Sequence, residues 1–209
     1  MNLDIYMKER DISELGFGRR FCVWVNGCRK SCPGCVAGGA QSGTGGDIIS
    51  TDALAWEIIL SGCDGLTISG GEPFLQAEAL SELIAAVKRK RDIGVIIYSG
   101  YLLEELVQRE DARTLLSLCD LLIDGEYVKA LDDNLALRGS SNQRLHLLTE
   151  RYADQLSLYE GRQREQKVIV HGPEVRIIGI PRHDDDEGYF TGEDAGTKSK
   201  NTCRKGAEK

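Results

Sequence analysis

The sequence contains no long apolar run. No window of its 209 residues approaches the run of about 18 uncharged apolar positions that a membrane-spanning helix needs. The start of the chain also lacks the pattern of a secretory signal peptide, because Asp4, Lys8 and Asp11 interrupt its apolar positions. We therefore expect a cytoplasmic protein without a membrane partner.

An excess of positive charge is also missing. The chain has 26 lysine and arginine residues against 33 aspartate and glutamate residues, which gives a formal net charge of −7. Proteins that bind a polyphosphate chain usually carry the opposite sign, so nucleic acid is not a predicted partner. Hydrophobic residues make up 41% and charged residues 28% of the chain. These proportions are ordinary for one globular domain and exclude collagen-like or wholly disordered chains.

A disulfide framework is not predicted either. The chain has seven cysteines, an odd number, and cytosolic thiols are kept reduced. Such cysteines more often bind metal or take part in redox chemistry. Three of them, Cys28, Cys32 and Cys35, lie close together, and the others are expected to be core or tail thiols: Cys22, Cys63, Cys119 and Cys203.

Short apolar runs alternate with segments of helical period. Strands are predicted at residues 21–26, 65–69, 94–99 and 120–124. Helices are predicted at residues 51–61, 75–91 and 102–118. This alternation predicts the α/β class, with parallel strands that are covered on both faces. The carboxyl ends of the strands then lie at one edge of the sheet, where a site is expected.

The pattern is weaker after residue 125. A fifth strand is predicted at residues 144–148, a helix or loop at 150–166, and a hairpin at 167–180 that turns at Gly172–Pro173. The polar residues 182–209 are predicted to form a disordered tail.

The clustered cysteines form a C-x3-C-x2-C motif directly after the first predicted strand. Three thiolates on one short loop can converge on one metal centre, and Pro33 and Gly34 allow the loop to turn tightly. A [4Fe–4S] cluster with three cysteine ligands keeps one iron open for a substrate or cofactor. Zinc is an alternative without a local fourth ligand, since the only histidines are His146, His171 and His183.

A thioredoxin-type dithiol at Cys32 and Cys35 is a further alternative. Such a pair is activated at the start of a helix, which lowers the pKa of a thiol. Here a glycine-rich segment follows, and no helix is predicted before about Thr51. Incidental buried thiols are the remaining interpretation.

A second motif, Ser69-Gly70-Gly71-Glu72-Pro73, follows the second predicted strand. Its glycines allow a ligand to approach the backbone closely, and Glu72 offers an anionic acceptor for an ammonium group. The structural alternative is a tight turn into a helix with Pro73 in the first position.

Together, the two motifs resemble the signature of the radical S-adenosylmethionine superfamily. Further segments resemble the small activases of glycyl radical enzymes, especially the activating proteins of anaerobic (class III) ribonucleotide reductase. These segments are Cys32–Cys35, Tyr98–Tyr101 with Leu103–Leu106, Asp120–Tyr127 and Arg138–Arg144. The resemblance covers about residues 15–148, so the rest of the chain is where this protein's particular task is expected to differ.

The resemblance implies a partial (β/α)6 TIM-like barrel of parallel strands, with the site at their carboxyl ends. The barrel domain would span residues 1–181, with the cofactor scaffold at 15–148 and an additional strand or hairpin region at 149–181. Cys28, Cys32 and Cys35 would hold a [4Fe–4S] cluster with one open iron. The residues implied to bind S-adenosylmethionine are Gly70, Gly71, Glu72, Pro73, Ser99, Asp124 and Asn142, with Ser140 and Gln143 as further candidates. For those after Pro73, an ordinary turn or cap is the alternative role.

The implied activity is reductive cleavage of S-adenosylmethionine to a 5′-deoxyadenosyl radical that abstracts hydrogen, above all to install a glycyl radical on a partner enzyme. One alternative is radical modification of a peptide or small metabolite in a biosynthetic pathway. Another is a non-enzymatic iron–sulfur electron carrier, which would need neither an open iron nor the second motif. The resemblance also implies a low-potential electron donor such as flavodoxin or ferredoxin.

Overall fold

The computed structural model describes residues 1–172 and 174–182, which form nine strands, six α-helices and several 3-10 turns. The strands are β1 Asn2–Ile12, β2 Arg20–Val25, β3 Asp47–Ser50, β4 Gly65–Gly70, β5 Gly94–Ser99, β6 Leu121–Asp124, β7 Arg144–Leu147, β8 Lys167–His171 and β9 Glu174–Ile178. The helices are α1 Gly38–Gln41, α2 Thr51–Ser61, α3 Ala77–Lys88, α4 Leu103–Leu106, α5 Glu110–Ser117 and α6 Ala153–Leu156. The 3-10 turns are Pro73–Gln76, Lys129–Leu131, Glu150–Tyr152 and Ser157–Tyr159. None of the described helices is long and apolar enough to cross a membrane.

Seven strands form one sheet in the order β3-β1-β2-β4-β5-β6-β7. The four central strands, β2, β4, β5 and β6, are parallel, and β1, β3 and β7 are antiparallel to their neighbours. The α/β class is therefore confirmed, and each of the four predicted strands lies within one residue of its predicted bounds.

The implied TIM-like barrel of six parallel strands is not confirmed. The described sheet is open, with β3 at one end and β7 at the other. A parallel connection needs a crossover of about a dozen residues, usually a helix. The link from β1 to β2 is shorter than that, and the link from β6 to β7 contains only a 3-10 turn. Both links therefore join antiparallel neighbours.

Helices cover one face of the sheet, which we call the helix face. Val23, Ile68 and Ile97 of the central strands belong to one buried apolar cluster with Leu54 of α2 and Leu80 of α3. The Ser50 side chain caps α2 by accepting a hydrogen bond from Ala53 N–H at 3.1 Å, a role for which serine is a preferred residue. The predicted helices at 51–61 and 75–91 are present, the second starting as a 3-10 turn.

The opposite face, which we call the cavity face, is covered by the chain that follows β7. Trp24 of β2 shares a buried cluster with Ile178, against which Tyr98, Ile169 and Ile180 pack. Tyr152 closes the neighbouring cluster around Ile96 and Ile123, which Tyr159 also contacts. The sheet is thus covered on both faces, as its continuously apolar strands predict, but the second cover is mostly not helical.

Several elements differ from the sequence-based prediction. The helix predicted at 102–118 is two helices, α4 and α5, and Arg109 between them donates to Phe74 O at 2.8 Å. The fifth strand is present as β7, but it is antiparallel to β6. The hairpin is confirmed by the β8–β9 pairing. Pro173 of its turn and the predicted tail from residue 183 onward lie outside the described residues.

Two strands and one helix were not predicted at all. The strand β1 was missed because charged residues interrupt its apolar pattern. One of them, Lys8, has its Nζ 2.5 Å from Glu57 Oε2 of α2. Most side chains of β1 are only partly buried, so charged residues can occupy their positions. The short strand β3 pairs with β1 at the sheet edge, and α1 lies inside the glycine-rich segment.

Candidate functional site

A cavity of about 560 Å³ opens at the carboxyl ends of the four parallel strands. Its wall contains Cys28, Cys32 and Cys35 together with Gly70, Gly71, Glu72 and Ser99. The motifs that follow β2, β4 and β5 therefore meet at one edge of the sheet. Cys22, Cys63 and Cys119 lie elsewhere as buried thiols, as expected for core cysteines, and Cys203 is outside the described residues.

The cysteine loop is folded back on itself by backbone hydrogen bonds. Gly27 N–H donates to Ala40 O at 2.7 Å, and Cys28 N–H donates to Gln41 O at 3.1 Å. The helix α1 thereby closes the loop against the end of β2. At the tight turn, Gly34 adopts φ 73°, a conformation that glycine tolerates.

The three thiols are partly buried and interact with backbone donors. Cys28 Sγ accepts a hydrogen bond from Lys30 N–H at 3.4 Å. Burial raises the pKa of Cys32, and a hydrogen bond from the Tyr127 backbone opposes that rise. Burial likewise raises the pKa of Cys35, opposed by the Ala37 backbone. These donors suit sulfur ligands of an iron–sulfur cluster, whose properties depend on hydrogen bonds to sulfur.

The alternatives for this loop fit less well. No three His, Cys, Asp or Glu side chains of residues 1–172 and 174–182, the three cysteines of this loop included, are arranged to hold a single metal ion. A [4Fe–4S] cluster does not require three side chains around one ion, because each of its cysteine ligands binds a separate iron. A helix does start after Cys35, contrary to the prediction, but it is a single turn. The raised pKa values of Cys32 and Cys35 are the opposite of an activated dithiol.

The Gly-Gly-Glu segment is hydrogen-bonded to the start of the cysteine loop. Gly71 N–H donates to Val25 O at 2.7 Å, and Glu72 N–H donates to Gly27 O at 2.8 Å. Gly70 has φ +99°, and a Cβ there would lie 2.5 Å from Val25 N. A Cβ at Gly71 would overlap the Gly27 backbone. Both glycines are therefore needed because two backbone segments lie very close together here, whether or not a ligand also approaches them.

The buried carboxylate of Glu72 joins the ends of β4 and β5 by hydrogen bonds. Its Oε1 accepts hydrogen bonds from Phe74 N–H and Ser99 Oγ, both at 3.0 Å, and its Oε2 accepts one from Gly100 N–H at 2.8 Å. Burial raises the pKa of Glu72. A carboxylate has about four acceptor positions, so one further donor can be accepted. The predicted turn is also present, because Pro73 begins a 3-10 turn that Glu72 caps.

Lys30 connects the cysteine loop to two neighbouring loops, and sequence reasoning did not identify it. Its Nζ lies 3.0 Å from Glu126 Oε1, after β6, and 4.3 Å from the centre of the Tyr101 ring, after β5. The Arg109 guanidinium lies 5.3 Å from the same ring. No local pattern distinguishes Lys30 from Arg29, because only the fold brings these loops together.

Asp124 is buried away from the cavity wall. It accepts hydrogen bonds from Arg144 Nε at 3.0 Å and from Leu103 N–H at 2.6 Å, and His146 Nε2 lies 3.1 Å from its Oδ2. Burial alone would raise the pKa of Asp124, but the Arg144 and Leu103 hydrogen bonds outweigh it and hold that pKa below its ordinary value. These contacts join β6 to β7 and α4.

The remaining candidates contact the backbone of their own loop. Asn142 is exposed, and its Nδ2 donates to Glu126 O at 2.8 Å. Ser140 is buried and accepts a hydrogen bond from Val128 N–H at 3.1 Å. Gln143 does line the cavity, where its Oε1 accepts a hydrogen bond from Gly139 N–H at 2.7 Å. Asn142, Ser140 and Pro73 are absent from the described wall of the cavity.

Residues 177–182 also line this cavity. Sequence reasoning placed no site residue there, because no motif marks the segment and it follows β7 by about thirty residues. Only the packing of the β8–β9 hairpin on the cavity face brings it to the site.

Comparison with known proteins gives a family for most of this region. A profile of the 4Fe-4S single cluster domain family matches residues 15–146. The anaerobic ribonucleoside-triphosphate reductase-activating protein of Enterobacteria phage T4 is 33% identical over 136 residues, which cover 62% of this chain and 85% of the relative. The proteins of the same name from Escherichia coli and Pasteurella multocida are each 32% identical, over 64% and 65% of this chain and 91% of the relative.

Proposed function

Because the chain belongs to the 4Fe-4S single cluster domain family and to the family of anaerobic ribonucleoside-triphosphate reductase-activating proteins, we propose that it installs a glycyl radical on a partner enzyme of that kind. The proposed class is a radical S-adenosylmethionine enzyme with a [4Fe–4S] cluster. The observation that carries the proposal is that three cysteines and the Gly-Gly-Glu segment line one cavity and are joined through Gly27.

In this proposal Cys28, Cys32 and Cys35 hold the cluster. When bound and reduced by a low-potential donor such as flavodoxin or ferredoxin, the cluster supplies one electron that cleaves S-adenosylmethionine into methionine and a 5′-deoxyadenosyl radical, which takes a hydrogen atom from the substrate. The Gly70–Gly71 backbone and the free acceptor position of Glu72 bind the amino group of S-adenosylmethionine.

The protein's own part is to fix geometry and exclude water. The hydrogen bonds from Gly71 and Glu72 to the ends of β2 and the cysteine loop set the position of one motif relative to the other. Trp24 and Tyr98 line the part of the cavity nearest the sheet, where apolar surface keeps water away from a reactive intermediate. Lys30 holds the cysteine loop against the next two loops.

A second candidate function is radical modification of a peptide or small metabolite. It is favoured by one observation, which is that residues 177–182 line the cavity although they lie beyond the family match at residues 15–146. An electron carrier has no use for the Gly-Gly-Glu segment in the same cavity. A gene for a glycyl radical protein beside this one would favour activation over the second candidate.

The proposal is tested by anaerobic reconstitution with iron and sulfide, reduction, and assay for 5′-deoxyadenosine formed from S-adenosylmethionine. We expect the wild-type protein to form it, and Cys32→Ala to lose both the cluster absorbance and the activity. Cys203→Ala is the matched control and is expected to keep both. If well-reconstituted wild-type protein does not cleave S-adenosylmethionine, the proposal is wrong.

A further inference from the structure

The loop between β6 and β7 has a strained backbone beside the cavity. The cavity wall includes these residues of the loop: Gly125, Tyr127, Asp132, Gly139 and Gln143. Asn134 and Leu137 of the same loop have φ angles of 57° and 68°. Leu137 is also buried, and a bulky residue keeps this left-handed conformation only where surrounding contacts enforce it. The loop therefore needs contacts from outside itself to hold its shape.

A buried arginine from beyond the family match supplies such contacts. Arg164 is only 4% exposed, whereas the family profile ends at residue 146. Its Nε donates to Leu135 O at 3.2 Å and to Arg138 O at 3.1 Å. Its Nη2 donates to Gly139 O at 2.7 Å. All three carbonyl groups belong to the strained part of the loop, so one side chain holds it at three points.

The same guanidinium forms an ion pair with Asp132. Arg164 Nη1 donates to Asp132 Oδ2 at 3.1 Å, and Nη2 donates to Oδ1 at 2.7 Å. Two parallel bonds of this kind fix the orientation of both groups, and the two side chains are only 2% and 6% exposed. Burial alone would raise the pKa of Asp132, but the hydrogen bonds from Arg164 help to hold that pKa below its ordinary value. Asp132 is thus an ionised acceptor in a fixed position.

Asp132 in turn connects to Tyr127, which lies between the two loops. The Tyr127 hydroxyl donates to Asp132 Oδ2 at 3.3 Å. A Cβ at Gly139 would lie 2.9 Å from the Tyr127 ring, and a Cβ at Gly34 of the cysteine loop would lie 3.7 Å from the same ring. The backbone of Tyr127 donates a hydrogen bond to the Cys32 thiol. The position of Tyr127 therefore affects a predicted cluster ligand directly.

We propose that Arg164 is a positioning residue for the iron–sulfur cluster, because it keeps Tyr127 in place to donate a hydrogen bond to the sulfur of Cys32. Arg164 is absent from the described wall of the cavity and acts through Asp132. A hydrogen bond to sulfur stabilises the reduced cluster, which carries one more negative charge, and so raises the reduction potential. This inference rests on the proposed function in one respect, which is that Cys32 binds the cluster.

The first test measures Tyr127 in the apoprotein. The chain has seven tyrosines, so labelling with 15N-tyrosine gives a simple spectrum, and Tyr127→Phe identifies the amide signal of Tyr127 by its loss. Lysine cannot make two parallel bonds to Asp132. We therefore expect the Tyr127 amide to exchange about tenfold or more faster in Arg164→Lys, the ratio that the loss of one hydrogen bond to a charged group gives.

Arg162→Lys is the matched control for this measurement. The Arg162 side chain is 45% exposed and pairs with Glu165, so this variant makes the same chemical change on the same segment outside the buried contacts. Its Tyr127 amide should exchange as in the wild type. Equal exchange in Arg164→Lys and Arg162→Lys would overturn the proposal.

The second test measures the reduction potential of the reconstituted cluster by a redox titration followed by electron paramagnetic resonance. Arg164→Lys and Tyr127→Phe should both lower the potential, whereas Arg162→Lys should leave it unchanged. Tyr127→Phe removes only the hydroxyl that Asp132 accepts, so it tests the proposal even if Arg164→Lys does not fold. A loss of stability alone would not lower the potential of the folded molecules.

The double variant Arg164→Lys/Tyr127→Phe tests whether the two residues act through one chain of contacts. Its potential should shift no further than that of the more affected single variant, because either change breaks the same connection. Additive shifts would mean that the residues act independently and would overturn the proposal. Wild-type potentials in both single variants would overturn it as well.

The outcomes separate this inference from the proposed function. If the wild-type protein binds a cluster but does not cleave S-adenosylmethionine, the proposed function fails, and the potentials still decide the role of Arg164. If no cluster forms, the exchange test still decides whether Arg164 positions Tyr127. If the wild type cleaves S-adenosylmethionine while Arg164→Lys keeps the wild-type exchange and potential, the proposed function stands and the positioning role is wrong.

Discussion

The two faces of the sheet are built from different chemistry. The helix face is a continuous apolar cluster in which Val23, Ile68 and Leu80 are fully buried. The cavity face contains apolar clusters too, but polar groups are buried beside them, including Arg20 and Thr67. It also contains the cavity and its wall. The comparison indicates that one face stabilises the fold, while the other gives up close packing to hold a site.

Arg20 fills the cavity face at the amino ends of the parallel strands. It is the first residue of β2, and its Nη1 and Nη2 donate at 3.0 Å to the carbonyl oxygens of Phe17 and Gly94. Within residues 1–172 and 174–182 no carboxylate pairs with it, so carbonyl and hydroxyl oxygens compensate the buried charge. The amino ends of the parallel strands are thereby filled, whereas residues at their carboxyl ends line the cavity.

The largest expected effect is on the helix face. Leu80→Ala should lower the free energy of unfolding by about 3–5 kcal/mol, because the lost leucine leaves a hole in close-packed surroundings. Ile178→Ala on the cavity face should cost only about 2 kcal/mol, because Ile178 already borders the cavity and its loss enlarges existing space instead of creating a new hole. Urea denaturation of both variants measures the difference.

Wild type and Leu116→Ala, at the edge of the helix face and 8% exposed, are the controls for this pair. Leu116→Ala should fall between the two. The contrast between the faces is refuted if Ile178→Ala destabilises the protein as much as Leu80→Ala does, since the cavity face would then be packed as tightly as the helix face.

The helix face was also the part of the fold that the sequence made predictable. Parallel strands are buried on both sides, so runs such as Val95–Ile97 and Leu121–Ile123 are continuously apolar and identify themselves. In the helices between them, apolar residues recur with a period of about 3.6 residues. The cavity face has no such signal, because its cover joins Arg164 to Asp132 and Tyr152 to Arg20 over long sequence separations.

The next effect concerns Asp124, whose carboxylate joins β6 to α4 and β7. Asp124→Asn should lower the free energy of unfolding at pH 7 by about 1–3 kcal/mol, because the hydrogen bonds from Arg144 lose their charged acceptor. The cleavage of S-adenosylmethionine per folded molecule should be unchanged, since Asp124 is buried away from the described cavity wall. Denaturation and the 5′-deoxyadenosine assay measure the two quantities.

The same variant has a pH signature. The pKa of Asp124 lies below its ordinary value of 3.8 in the folded protein. Its ionised form therefore adds stability above pH 3.8, and this contribution is lost as the pH falls through the folded pKa. Wild type should lose more stability than Asp124→Asn below that pH. The structural role would be contradicted if the two proteins lost the same free energy of unfolding as the pH falls. A large rise in the KM of Asp124→Asn for S-adenosylmethionine would contradict it as well.

The sequence indicates which contiguous residues lie at the cavity, but not which distant residues join them there. The three cysteines and Gly70–Glu72 each form a compact motif at the end of a strand, so topology alone brings them to one edge. Asp124 follows the same rule of position, yet its carboxylate accepts the N–H of Leu103 in α4. The alternation of side chains along a strand decides which face of the sheet the carboxylate reaches, and the sequence does not show which face the helices cover. The positions of Lys30 and of residues 177–182 depend on contacts between distant loops.

The smallest expected effect is on the cavity face. The hydroxyl of Tyr98 is buried, and within the described part of the chain it finds no hydrogen-bond partner. A buried polar group without a partner costs about 1–3 kcal/mol, so Tyr98→Phe should leave the free energy of unfolding unchanged or raise it by about 1 kcal/mol. This is the reverse of Asp124→Asn, where removing a satisfied polar group destabilises the protein. Tyr152→Phe is the matched control, because the Tyr152 hydroxyl accepts a hydrogen bond from Arg20 at 3.0 Å and its loss should destabilise. A clear loss of stability in Tyr98→Phe would mean that the cavity face is as fully satisfied as the helix face, and the difference between them would be one of shape alone.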